Sequence, residues 1–333
     1  MARSRPRACP ECGETVPAEP MGRRGFLRAA GAGAAALALS HLPRVGAQEP
    51  AAADRTAEAM IRELYAGLSA DQKKDVVLPF ESPDRLKLYN AALGKKIGDA
   101  YTKPQQELVG RILRALCSGE EGWTQISRGG TWDASKAFEN CGANLFGDAN
   151  GKYTWVFSGH HLTLRCDNNS EEGAAFGGPL YYGHSPNGYS ERNLFNYQTR
   201  GALAVFESLT HDQREQVVAL EDPAEGLASL KFRCTCDSAP GLPFSQLTKE
   251  SQGLVRKVLR DLLAPYRKED ADEVLQVIEK TGGMEAMNLM FFREKEAKAS
   301  QPWSFWRLEG PGFIWNFRVL PHVHTFVNIS SKV

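Results

Sequence analysis

Two stretches of this chain repeat one another in order, and that constrains its fold more than any other feature. Gly67-Leu68-Ser69-Ala70-Asp71-Gln72 returns 141 residues later as Ser208-Leu209-Thr210-His211-Asp212-Gln213. In each copy a Ser or Thr stands three residues before Gln, the capping box that opens a helix. A second match joins Thr102–Val109 to Thr248–Val255. Apolar residues follow at 108, 109, 112, 113 and 116 and at 254, 255, 258, 259 and 262, which is the spacing of one buried helix face. A third pairs Trp155-Val156-Phe157-Ser158-Gly159 with Trp306-Arg307-Leu308-Glu309-Gly310, and both read as strand, tight turn, strand. Each half is thus expected to be helices followed by an antiparallel β-hairpin, an α+β fold and not a wound parallel sheet. The pseudo-repeats run over 56–190 and 196–330 and pack as one domain, 48–333, with further helix over 266–282 and a strand at 287–293.

Before the first repeat, Gly22-Arg23-Arg24-Gly25-Phe26-Leu27-Arg28 leads into an apolar run from Ala29 to Leu39. Eleven residues cannot span a bilayer of about 30 Å. With the paired arginines they form a twin-arginine export signal. The expected partner is the twin-arginine translocase, the expected location periplasmic or extracellular, and no permanent membrane anchor is expected. Cleavage after Ala47 removes seven basic and three acidic residues from totals of 40 and 40, leaving a net charge of −4. That balance gives no electrostatic reason to bind nucleic acid. Cys9-Pro10-Glu11-Cys12 is half of a zinc ribbon with no second Cys-x-x-Cys to complete it. It precedes the signal, so initiation at Met21 or loss with the signal is favoured over a working site. Cys117, Cys141, Cys166, Cys234 and Cys236 remain after cleavage, an odd count; Cys234-Thr235-Cys236 can clamp a soft metal, but cysteines at alternate strand positions more often pack or join a nonlocal disulfide.

Five of the six histidines beyond residue 47 lie in the strand blocks: His160, His161, His184, His322 and His324. Side chains alternate across a strand, so His322 and His324 share a face. Two imidazoles so placed can approach one ion of zinc, copper or iron. Gly159-His160-His161-Leu162 occupies the hairpin turn that Gly310-Pro311-Gly312-Phe313 occupies in the second half. Pro-led segments ending in His184 and in His322-Val323-His324 follow. Packed about a twofold axis, these segments meet at one crevice, with at most one of His160 and His161 pointing inward. Three readings stand: a metal site, a metal-free polar pocket, or separate hydrogen-bonding histidines at strand ends. Asp167, Glu171, Glu172, Glu191 and Glu309 are the carboxylates near in sequence, and nothing selects one. No Gly-x-Ser-x-Gly, His-Glu-x-x-His or P-loop occurs. The Gly- and Pro-rich stretch Phe176–Tyr189 reads either as a surface loop whose Tyr181 and Tyr182 can stack on a ligand or as an ordinary long turn with core tyrosines.

Taken together, Leu68-Ser69 with Gln72, Phe157–Leu164, Ser208–Arg214, Gly241-Leu242, Leu247, Leu308–Pro311 and His322-Val323-His324-Thr325 resemble a bacterial family known only as domain of unknown function 3500. The resemblance spans most of 56–328. It implies this architecture and marks the histidines, but carries no reaction. Three functions stand as expectations: metal-assisted hydrolysis or oxidation of a small substrate, non-catalytic binding of a carbohydrate or peptide ligand, or a scaffold with no small-molecule site.

Overall fold

The computed structural model describes residues 56–220, 225–232, 240–293, 298 and 300–332, together with two short strands near the N-terminus. The export-signal segment at 22–28, Cys9 and Cys12, the cleavage site at Ala47, and Cys234 and Cys236 lie outside the described residues. Two units are distinguished, Met1–Arg55 and Thr56–Val333. In the first, β1 (Arg7–Ala8) pairs antiparallel with β2 (Thr15–Val16).

The second unit begins with α1 (Ala57–Ala66), α2 (Ala70–Val76), β3 (Val77–Leu78), α3 (Ile97–Ala100), α4 (Lys103–Ala115) and α5 (Glu120–Ser127). Strands β4 (Gly142–Gly147), β5 (Tyr153–Gly159), β6 (Leu162–Cys166) and β7 (Leu180–His184) follow. Next come α6 (Asn196–Ser208), α7 (His211–Val217), β8 (Val218–Ala219), β9 (Leu242–Pro243), α8 (Lys249–Leu263) and α9 (Lys268–Lys280). Strands β10 (Asn288–Phe292), β11 (Phe305–Gly310), β12 (Phe313–Arg318) and β13 (Val323–Ile329) complete it. The mixture of helix with a mostly antiparallel sheet is α+β. The capping boxes read from the sequence are present at Ser69–Gln72 and Thr210–Gln213.

All the described strands of this unit belong to one sheet, in the order β3-β4-β5-β6-β7-β13-β12-β11-β10-β8, with β9 also on β10. From either edge the order is alike. A two-residue strand runs parallel to its neighbour, β3 to β4 and β8 to β10. Antiparallel strands then lead to the middle, where β7 meets β13 with His184 opposite Val323 and Leu180 opposite Val327.

Alternation gives the sheet two unlike faces. One carries Trp155, Phe157, Tyr182, Trp306, Trp315 and Phe317, which join the buried stripes of α4 and α8 in a single apolar cluster. The other carries Ser158, Thr163, Arg165, Arg307, Asn316 and Arg318, all buried. Burying such groups is tolerable only when they are hydrogen-bonded, and two irregular segments supply the partners. Within residues 80–93, Leu93 N–H donates to Ser158 Oγ at 2.8 Å and Tyr89 O accepts from Thr163 Oγ1 at 2.8 Å. Within 225–232, Ser229 O accepts from Arg307 Nη1 at 2.9 Å and Ser229 Oγ from Asn316 Nδ2 at 2.8 Å.

An ion pair ties the start of α1 to the start of α9: Arg267 reaches Glu58 at 2.7 Å and Asp270 at 2.9 Å. Burial alone raises the Glu58 carboxyl, but the hydrogen bond and charge of Arg267 outweigh it and hold the group at about 2. A value depressed in the folded state means a contribution present above the unfolded value and lost as pH falls through the folded one. Glu58→Gln is expected to cost about 1.5–3 kcal/mol at neutral pH, and progressively less below about pH 4.5. Urea unfolding of both chains across that range checks this. A difference that stays constant into acid would refute the linkage.

Candidate metal centre

Three elements bring imidazoles together on the polar face of the sheet. Two-residue alternation sets His322 and His324 on one side of the β13 segment, and both are fully buried. His161 comes from the turn between β5 and β6, which is closed by the Gly159–Leu162 pair. Its φ of +58° is left-handed, a conformation uncommon for a residue with a Cβ. The turn is held by His161 N–H donating to Asn90 Oδ1 at 2.7 Å and by Gly183 N–H donating to His161 O at 2.9 Å. Gly183 lies between the rings, opposite His324. A Cβ there would stand 2.5 Å from Val323 O and 3.1–3.2 Å from the rings of His324 and His161. Only glycine lets the imidazoles close in.

The result is a triangle of nitrogens. His322 Nε2 lies 3.1 Å from His161 Nε2 and 3.0 Å from His324 Nε2, and these three residues form a group able to hold a metal ion. Behind them stand carboxylates. Asp133 Oδ2 is 2.8 Å from His161 Nδ1, and Glu225 Oε2 is 3.3 Å from His324 Nδ1. A carboxylate only accepts, so each Nδ1 carries the hydrogen and each Nε2 presents a lone pair. His322 Nε2 then faces two lone pairs with at most one proton to offer. A cation at the centre satisfies all three nitrogens. Tetrahedral zinc with Zn–N of about 2.0–2.1 Å places nitrogens about 3.3 Å apart, close to the spacing found.

Electrostatics agree. Burial and the neighbouring imidazoles push His161 down to about 3 and His322 to about 2, which keeps both in the neutral, ligating form. Burial raises the Asp133 carboxyl, but hydrogen bonds from His161 and His184 and the charge of Arg128 bring it well below the usual carboxylate range. Both carboxylates are shared. Asp133 Oδ1 takes His184 Nδ1 at 2.7 Å, and Glu225 Oε1 takes Arg318 Nη1 at 2.7 Å.

The family model for a protein of unknown function, DUF3500, matches residues 49–330. The chain belongs to the DUF3500 family. No curated protein and no solved structure matches it.

In this DUF3500 chain the buried Arg128 braces the centre. It caps α5 in a left-handed conformation, φ +57°, and donates to Gln125 O at 3.0 Å, Ile126 O at 2.7 Å, Gly183 O at 3.0 Å and His161 O. Its Nε lies 3.9 Å from the Asp133 carboxylate. One cation therefore joins the hairpin turn, the end of β7 and the loop that carries Asp133.

Of the residues expected from the sequence, His161, His322 and His324 converge. His184 is linked to them through Asp133. His160 belongs to a second grouping with Asp133 and His161, and its Nδ1 accepts from Ala134 N–H at 3.3 Å; of the adjacent pair, His161 is the fully buried one. The expected surface loop around Tyr181 and Tyr182 is instead strand β7, and the two side chains are 2% and 1% exposed. Tyr181 stacks on Phe326 at 4.9 Å with its ring 5.4 Å from that of His324, while Tyr182 donates to Gln198 Oε1 at 2.8 Å inside the core. Packed on both faces of the sheet, the pair offers no open ring to a ligand. The carboxylates near in sequence serve elsewhere. Asp167 accepts from Glu171 N–H, Glu171 pairs with Arg85, Glu172 with Lys332 and Glu309 with Arg307, and Glu191 is exposed. Asp133 and Glu225, missed from the sequence, are 28 and 99 residues from their histidines and belong to no motif.

Proposed function

We propose that this is an exported metalloprotein whose three-histidine centre promotes hydrolysis or oxidation of a small molecule. The observation that carries the proposal is the convergence of three buried Nε2 atoms, two of them on rings held from behind by carboxylates, the usual support of metal-bound histidine. His161, His322 and His324 would hold zinc, copper or iron. Three protein ligands leave a position open, as in catalytic and not structural sites. A bound ion supplies Lewis acidity or an activated water there. Asp133 and Glu225 fix the tautomer and orientation of their histidines, while Arg128 and Gly183 set how closely the rings approach.

Export rests on the twin-arginine pattern at 22–28, with the translocase as partner. Among the described residues no helix is long and apolar enough to cross a membrane. The two pseudo-repeats, 56–190 and 196–330, are supported by the strand order, alike from both edges, and by the paired capping boxes. Superposing one half on the other would remove the repeats if β3–β7 failed to fall on the strands of β8–β13.

Elemental analysis of protein recovered from the periplasmic fraction tests the main claim. About one transition-metal ion per chain is expected, falling to background in the His322→Ala/His324→Ala double variant. Wild-type protein with less than about a tenth of an ion per chain would overturn the metal centre. A chain recovered only from the cytoplasm removes export from the reading.

A further inference from the structure

On the helix side of the loop that carries Asp133 lies a separate groove of about 390 Å³, within the size range of small-molecule sites. Three aromatic rings line it, each from a different element: Trp123 from α5, Trp132 from the loop, and Phe138 from a short 3-10 helix, Phe138–Asn140. Trp132 stands edge-on to Trp123, with centroids 5.8 Å apart, and lies 5.5 Å from Phe138. Gly110 leaves the α4 floor without a side chain, and Lys103, Gln106, Glu107 and Glu139 complete the lining.

The polar groups narrow the ligand. Glu107 and Glu139 are exposed and have no hydrogen-bond or ion-pair partner among the described residues. Lys103 donates to Gln106 Oε1 at 3.0 Å. Two carboxylates against one lysine disfavour an anion. The Arg114 guanidinium, itself paired with Glu120, lies 4.3 Å over the centroid of the Trp123 ring, so the place a second cation would take on that face is filled. What suits the site is a neutral ring with apolar C–H faces for the aromatics and hydroxyls for the carboxylates to accept.

We infer that this groove is a binding site for a neutral carbohydrate, one or two pyranose rings long, packed on the half-buried rings of Trp123 and Phe138, with the buried Trp132 between them, and hydrogen-bonded to Glu107 and Glu139. It does not depend on the metal centre. Its location differs from the one expected at Tyr181 and Tyr182, because these aromatics border open volume and the tyrosines do not.

Tryptophan fluorescence of the full-length protein, titrated to about 20 mM with cellobiose, maltose and N,N′-diacetylchitobiose and separately with tetramethylammonium chloride, tests the inference. A saturable change with at least one disaccharide is expected. Glu107→Gln/Glu139→Gln should weaken it at least about tenfold, roughly one good charge-assisted hydrogen bond, and Trp123→Ala should abolish it. The His322→Ala/His324→Ala variant should bind as wild type does, so failure of the metal reading and failure of this one are distinguishable. Because both glutamates are exposed, the double glutamine variant is expected to fold even if Trp123→Ala does not, and thermal melts of each variant check that. Silence with all three sugars, a response to tetramethylammonium alone, or undiminished affinity in the double glutamine variant would each overturn the inference.

Discussion

Arg128→Met is expected to lower the free energy of unfolding by about 3–5 kcal/mol. Methionine keeps the length and apolar bulk of the side chain, so the change isolates charge and hydrogen bonding. Arg128 is 3% exposed, and the carbonyls of Gln125, Ile126, Gly183 and His161 all accept from it. His161 O keeps the Gly183 N–H and Gln125 O the backbone N–H of residue 128, so removing the guanidinium falls hardest on Ile126 O and Gly183 O in a dry interior, each unsatisfied group costing about 1–3 kcal/mol. Asp133 simultaneously loses the cation 3.9 Å away. Urea unfolding in the presence of a chelator measures the effect on the protein alone. A loss under about 1 kcal/mol would show that these carbonyls have other partners and that Arg128 is not the brace described.

Asp133→Asn is expected to weaken metal binding about 10–100-fold, the usual effect of removing a carboxylate behind a ligating histidine. The aspartate accepts from two rings at once, His161 at 2.8 Å and His184 at 2.7 Å. An amide of the same shape has one acceptor oxygen, and its nitrogen opposes the Nδ1–H of whichever ring it faces. The loss should appear in competition with a chelator of known zinc affinity. Glu225→Gln should show a smaller loss, because its contact with His324 is longer, at 3.3 Å. Equal affinity in wild type and Asp133→Asn would mean that the carboxylate does not orient a ligand.

The parts of this protein that were legible in its sequence are those governed by local spacing. Ser69 with Gln72 and Thr210 with Gln213 are three residues apart, and each pair forms its capping box. His322 and His324 are two apart on an extended segment, and their Nε2 atoms lie 3.0 Å from each other. The class, α+β, follows from the same local periods. What was hidden depends on contacts between distant segments. Nothing around Asp133 distinguishes it from other loop acids. Its role is set by a run of left-handed residues, Arg128, Trp132 and Asp133 among them, that folds the loop back over the β5–β6 turn. Tyr181 and Tyr182 sit amid glycine and proline and read as loop, yet pairing with Phe326 and Thr325 across β13 makes them strand, with one ring buried on each face.

The place of β13 has a consequence for how the molecule is made. It is the sheet's last strand in chain order but lies at the middle, between β7 and β12. As the polypeptide leaves the ribosome, β7 and β12 must each wait with an unpaired edge until residues 323–329 arrive, and such edges invite association with other chains. The same late segment delivers His322 to His161, 161 positions earlier. Closing the sheet and assembling the three imidazoles are therefore a single event. A chain truncated before Pro321 would have neither, and an ion held at full affinity would certify that synthesis had run through to β13.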